Sequence, residues 1–283
     1  MPFQEWKRSG NHRRRNLEIM EKIYHYTQIR NNKGVSILES IVCKDALHMH
    51  SAFFRKYAKE DYQWIRKYSQ SIVKSLCEKN NWDYDEEDLM LNPYFISFCI
   101  DPDSEYMWEH YANKGLGMKL IFDKELLRRI EHGIPDGRGD FSSAIETQLP
   151  CLYIDDKDDI EQVLITNMSR PELDGWDEFN KLKFLVSSIK QTKPYKEEQE
   201  YRHIHLHNIV GHFYYNEDNS YYVDDNGPTD RDDMWIDMLF PPEMLLGIEL
   251  GPNTTESDLQ YVRQHIINMG YDPQKVKVKP YKK

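Results

Sequence analysis

Glu198, Glu200 and Arg202 alternate in the run Glu198-Gln199-Glu200-Tyr201-Arg202, at the entrance to a period-two stretch. A strand there would turn all three toward one face. Two carboxylates and a guanidinium so aligned form either an exposed, salt-bridged strand edge or a polar site. In a site, the carboxylates could favour a developing positive charge or move a proton. Arg202 could pair with a carboxylate or reach a phosphate.

The second chemical stretch runs from Asn92 to Asp123, NPYFISFCIDPDSEYMWEHYANKGLGMKLIFD. Tyr94 to Ile100 reads as a β-strand bounded by Pro93 and by Asp101-Pro102. Asp103 or Ser104 caps a short helix carrying Met107, Trp108 and Tyr111, which Gly115 and Gly117 terminate. Met118 to Phe122 is a second strand. Ser97, Ser104, Trp108 and Tyr111 then supply hydroxyls and flat rings at one end of two strands, suited to holding a ring and a ribose. An isolated aromatic helix of this kind is otherwise core packing. A third stretch, Tyr24-His25-Tyr26-Thr27, sets a His and a Thr on the opposite alternation from two tyrosines.

His203, His205 and His207 share one strand face, with His212 near. Imidazoles about 6.6 Å apart along a strand do not converge on one ion at about 2.1 Å, so no metal is expected. The chain holds no HExxH, no GxxxxGK[ST] and no GxGxxG, which removes zincins, P-loop enzymes and Rossmann dehydrogenases. Cys43, Cys77, Cys99 and Cys151 form no CxxC pair and read as buried thiols.

The elements that must position these residues follow from periodicity. A chain of 283 residues can bury a real core as one domain. Its net charge of −11 argues against an extended nucleic-acid surface. The basic exceptions are Lys7 to Arg15 and the tail Lys275 to Lys283, the latter suited to an edge strand blunted by lysines. No run reaches a membrane span and no apolar leader opens the chain, so a cytoplasmic location without membrane contact is expected.

Residues 1–20 read as a basic arm, and 21–283 as a single domain. That domain carries a helical insertion around 50–80 and an acidic, Tyr-rich insertion around 212–233. Helices are expected over 34–41, 124–132, 158–168, 172–190 and 255–269. Residues 134–150 read as loop, 149–154 as a strand, and 234–250 as a strand pair broken at Pro241-Pro242.

Taken in order, YHYT, an SF strand with DSxxMWxxYA and GxGxxLxFD, and a Lys-rich turn into ExExYR resemble an uncharacterised bacterial domain family of the ADP-ribosyltransferase superfamily. PPEMLLGIELGPNTTESDLQ resembles that family's closing strand, loop and helix. The resemblance spans about Tyr24 to Ile267. It departs after the first helix, where LHMHSAFFRKYAKED replaces an Asn-Asp-Pro-type motif ending in an acid.

The resemblance implies an α+β fold with a split, mostly antiparallel β-core wrapped by helices. It implies transfer of ADP-ribose from NAD to a macromolecule, protein or nucleic acid, with nicotinamide released. Glu200 would be the catalytic carboxylate, with Glu198 orienting or deprotonating the acceptor; the opposite assignment, Glu198 catalytic and Glu200 supporting, stays open. His25, Tyr26, Thr27, Ser97, Trp108, Tyr111 and Arg202 would hold NAD. Family neighbourhoods imply a bacterial toxin or phage-defence effector, with an antitoxin or immunity partner. The alternatives are an inactive or sensing nucleotide-binding domain and an NAD glycohydrolase.

Overall fold

The computed structural model describes residues 21–31, 33–44, 46–51, 71–85, 93–127, 145–155, 158–206, 212–215, 221–224 and 235–282. The basic arm, His207, Asn-Gly at 226–227 and most of the insertion around 50–80 lie outside the described residues. What is described is α+β, built on a large, mostly antiparallel sheet.

Strand β3 (Pro93–Cys99) is the axis of that sheet. One edge of it carries β8 (Glu200–Leu206) along its whole length, from Pro93 opposite Leu206 to Cys99 opposite Glu200. Beyond β8 lies β5 (Ile145–Pro150). The other edge of β3 forks. Tyr94 and Phe95 pair with β2 (Ala46–Ser51), whereas Cys99 pairs with Tyr24 of β1 (Lys22–Thr27). From β2 the sheet continues to β11 (Trp235–Leu239); from β1 it continues through β4 (Met118–Asp123) and β12 (Leu245–Leu250) to β13 (Lys277–Pro280).

The pleat gives each branch two faces. On one face Tyr94, Ile96, Phe98 and Tyr201 join a core with α1 (Ile37–Lys44) and α8 (Glu256–Asn268). On the other, Phe95, Ile204 and Leu206 join a core that includes a helix over 71–80 (α2), α5 (Ile160–Asn167) and α6 (Glu178–Ser187). A smaller aromatic cluster on that second face holds Tyr26, Cys99, Met107, Trp108 and Ala112. It packs under α3 (Glu105–His110), whose N-cap is Ser104, accepting from the Met107 amide.

Several local expectations hold. The helix expected over 255–269 is α8, and Thr255 and Asp258 close a capping box at its start. Asp159 caps α5, and Lys277–Pro280 is the edge strand, parallel to β12. A two-stranded hairpin of β9 (His212–Tyr215) and β10 (Tyr221–Asp224) occupies the Tyr-rich region. α4 (Lys124–Leu127) begins the helix expected after β4.

Other expectations need correction. The helix expected over 172–190 begins only at Glu178, capped by Asp177, and stops at Ser187. A short 3-10 turn, Pro171–Leu173, precedes it, and β7 (Ile189–Gln191) follows it. Residues 145–150 form β5 rather than loop, and Cys151 separates β5 from β6 (Leu152–Ile154). β11 and β12 do not pair with each other: β11 lies beside β2 on one branch, β12 beside β4 on the other. The sequence signal marked both strands but not their partners, which are set by contacts far along the chain.

Glycines permit one close approach. Gly251 donates its amide to the Gly117 carbonyl at 2.9 Å, and Asn253 donates to Gly115 at 2.9 Å. A Cβ on Gly251 would meet the Gly115 carbonyl oxygen at 2.3 Å, so only glycine fits. This clasp ties the end of β12 to the turn between α3 and β4.

Candidate active site

Short bonds gather the site where β3 meets the start of β8. Glu200, first residue of β8, is 4% exposed and faces the same side as Ser97 and Arg202. Its Oε1 accepts from the Ser97 hydroxyl and from Arg202 Nε at 2.7 Å. Its Oε2 accepts from Lys190 Nζ at 2.6 Å and from Arg202 Nη2 at 3.4 Å. The Glu200 amide donates to the Tyr153 hydroxyl at 2.8 Å. Arg202 is fully buried, donates from Nη1 to the Ser187 carbonyl at 2.8 Å, and stacks 4.2 Å above the Phe95 ring.

Glu198 reaches the same place by another route. It sits on a 3-10 turn, Lys196–Glu198, and Gln199 then turns left-handed at φ 43°. The left-handed residue breaks the alternation, so Glu198 is not on the strand as the spacing predicts. It is nonetheless buried beside Glu200, because Lys190 Nζ bonds to both carboxylates. Tyr111, the C-cap of α3 and 40% exposed, donates its hydroxyl to Glu198 Oε1 at 2.5 Å.

The two carboxylates are pushed apart electrostatically. Burial would raise Glu200, but Arg202 and then Lys190 outweigh it and hold the carboxyl well below the usual range. Burial also raises Glu198; Lys190 pulls it down, the charge on Glu200 raises it again, and the balance lies above the ordinary value. Burial, and then the charge on Glu198, push the Tyr111 phenol upward. The pair therefore offers one firmly ionised carboxylate and one poised to exchange a proton.

The remaining residues singled out by sequence divide into two groups. His25 Nδ1 lies 3.0 Å from the Ser97 carbonyl, which links β1 to the site. The register, however, sets Tyr24 opposite Cys99, so the His25 ring lies on the other face, against Phe98 at 6.0 Å. Tyr26 donates to the carbonyls of Asp101 and Pro102 and packs edge-on against Trp108 at 5.0 Å. Trp108 is 4% exposed inside that cluster, and its Nε1 has no hydrogen-bond partner. Thr27 ends β1 opposite Met118, half-buried. Ser97, Tyr111, Glu198, Glu200 and Arg202 thus come together, whereas Tyr26 and Trp108 pack in the neighbouring aromatic cluster.

Sequence reasoning missed Lys190 and Tyr153. Lys190 is 3% exposed on β7, which pairs in parallel with β6 and sets Lys190 opposite Tyr153. The signal available was Ser187-Ser188, two small polar residues where α6 ends although Ile189 keeps the apolar helical spacing.

His203 and His205 do share a face, away from Glu200, and both are buried. Glu146 Oε1 bonds to His205 Nδ1 at 2.7 Å, and Glu146 Oε2 lies 3.5 Å from His203 Nε2. Among the described residues no group of three His, Cys, Asp or Glu side chains is arranged to hold a metal ion. Cys77, Cys99 and Cys151 are buried. No described helix is long and apolar enough to cross a membrane.

A family described as a protein of unknown function (DUF2971) matches residues 107–203, so this part of the chain is similar to that family. The matched stretch contains Tyr111, Lys190, Glu198, Glu200 and Arg202, and leaves out His25 and Ser97. No curated protein and no solved structure matches the chain. The segment similar to DUF2971 is thus the one that supplies both carboxylates, both cations and the tyrosine of the candidate site.

Proposed function

We propose that this site cleaves the bond between ribose and nicotinamide in NAD and transfers ADP-ribose to a macromolecular acceptor. The observation that carries the reading is the arrangement of the two buried carboxylates: Glu200 is fixed by Ser97, Arg202 and Lys190, and Glu198 is held on the same Lys190 ammonium. The forked antiparallel sheet, with β1 and β3 meeting where β8 begins, accords with the split core that the sequence resemblance implies.

Cleavage builds oxocarbenium-like positive charge on the ribose, and the departing pyridinium needs no acid. It needs a fixed negative group that does not reorganise, which suits Glu200 as Ser97 and Arg202 hold it. Attack by an acceptor hydroxyl or amine requires a proton to leave. Glu198, buried but bonded to the half-exposed Tyr111, suits that step as the base. NAD is a substrate in this scheme, and no metal takes part in it. The buried Tyr26–Trp108 cluster supports the site rather than stacking on the ring, and Tyr111, 40% exposed, is the aromatic surface assigned to NAD. His25 acts through the Ser97 carbonyl, fixing the strand that carries the Ser97 hydroxyl.

A bacterial toxin or defence effector, opposed by an antitoxin or immunity partner, is the setting that the resemblance suggests. The test is NAD carrying a label on its adenosine half, incubated with the protein and a cell lysate. Label that becomes macromolecular supports transfer, and its loss on protease or nuclease treatment identifies the acceptor class. Label recovered only as free ADP-ribose would replace transfer with hydrolysis.

A further inference from the structure

Glu198 owes its place to a side chain, not to the strand. Gln199 at φ 43° takes the backbone out of β alternation between the two glutamates, so strand geometry alone does not bring them together. The atom that touches both is Lys190 Nζ, bonded to one oxygen of each. Lys190 is itself fixed: its strand pairs with β6, and its ammonium lies 4.6 Å from the centre of the Tyr195 ring.

We propose that Lys190 is a positioning residue of the site: its buried ammonium holds Glu198 against Glu200 and keeps Glu198 able to act as an ionised base. The inference rests on the reading of Glu198 as the base that serves the acceptor.

The charges show why a cation is required at this point. Arg202 is engaged with Glu200 and with the Ser187 carbonyl, and the ammonium of Lys190 is the cation seen bonded to Glu198. Of the influences on Glu198, burial and the neighbouring charge of Glu200 both favour its protonated form. Lys190 opposes them by its charge and by its hydrogen bond, and the Tyr111 hydroxyl adds a weaker bond. Without the ammonium the two opposing influences stand nearly alone, and a protonated Glu198 is far too weak a base to take a proton from an acceptor. Tyr111 is too weak an acid to replace it, since burial and Glu198 both push its phenol upward. A guanidinium at position 190 would restore the charge, though with a planar geometry.

The test titrates the Glu198 side-chain carboxyl by carbon NMR in the full chain, as wild type, Lys190→Met and Lys190→Arg. Lys190→Met is expected to move the Glu198 midpoint to higher pH, and Lys190→Arg to bring it back toward wild type. An unchanged midpoint in folded Lys190→Met overturns the proposal. Should Lys190→Met fail to fold, the wild type answers instead through the Lys190 ammonium nitrogen. A shift of that resonance through the Glu198 titration supports the proposal, and a flat response refutes it.

With NAD as substrate, the acid limb of kcat/KM should move in parallel, at a loss of about tenfold at fixed pH for each unit of displacement. A wild type that never cleaves NAD sinks the transfer reading, while the titration still decides the role of Lys190.

Discussion

Replacing Arg202 by Met should destabilise the fold by about 3 kcal/mol, the lower end of the 3–5 kcal/mol typical of breaking a buried ion pair. The guanidinium has no solvent exposure and bonds to three acceptor atoms: Glu200 Oε1 at 2.7 Å, Glu200 Oε2 at 3.4 Å and the Ser187 carbonyl oxygen at 2.8 Å. Methionine fills much of the volume and can keep contact with the Phe95 ring, so the loss is chiefly electrostatic. Leaving the Ser187 carbonyl unpaired costs about 1–3 kcal/mol by itself. Lys190 remains on Glu200 Oε2 and limits the rest, which keeps the sum at the low end. The assay is urea denaturation, comparing the midpoints of wild type and variant at equal slope. Adding Glu200→Gln to Arg202→Met should recover at least about 1 kcal/mol, because the stranded charge is gone. A loss below about 1 kcal/mol for Arg202→Met, with no coupling in the double variant, would refute the claim that this guanidinium holds Glu200 in place.

Two further outcomes test other parts of the molecule. Gly251→Ala should cost about 3 kcal/mol, the upper end of overpacking penalties, because its Cβ would strike a backbone oxygen at 2.3 Å that cannot rotate away; a thermal melt reads it. Glu146 is pushed up by burial but pulled to about 2 by the neighbouring His203 and His205, so its contribution is present above the unfolded value of 4.5 and lost as pH falls toward 2. That loss is on the order of 3 kcal/mol, and Glu146→Gln should flatten the slope of stability against pH across that window.

The parts of the fold that were legible in sequence are those with local signals. β3, α3 and β4 are marked by Pro93, the Ser104 cap and the glycine stop, and the structure places them within a residue or two. What escaped depends on distant partners. β5 reads as loop because Glu146, Thr147 and Gln148 are polar, yet pairing with β8 buries all three. β2 is a strand through partners far along the chain, Trp235–Leu239 on one edge and Tyr94 and Phe95 of β3 on the other.

The site shows the same division. Ser97, Tyr111, Glu198, Glu200 and Arg202 were recognisable by type and spacing, and they do converge. Lys190 was hidden because Leu182, Leu185, Val186 and Ile189 continue a helical apolar pattern past the true end of α6 at Ser187. Its three-residue parallel strand is too short to show a period of its own. Strand alternation also gave the right neighbourhood for Glu198 by the wrong route, since nothing in the residue types marked Gln199 as left-handed.

The central claim is that Glu200 stabilises positive charge developing on the ribose of NAD. Nicotinamide release from NAD by the purified protein, compared with Glu200→Gln, tests it most directly. The account predicts measurable release by the wild type, and a fall of about 10²–10³ in the variant with folding intact. Equal rates in the two proteins, or no release by a folded wild type supplied with NAD and lysate, would contradict it.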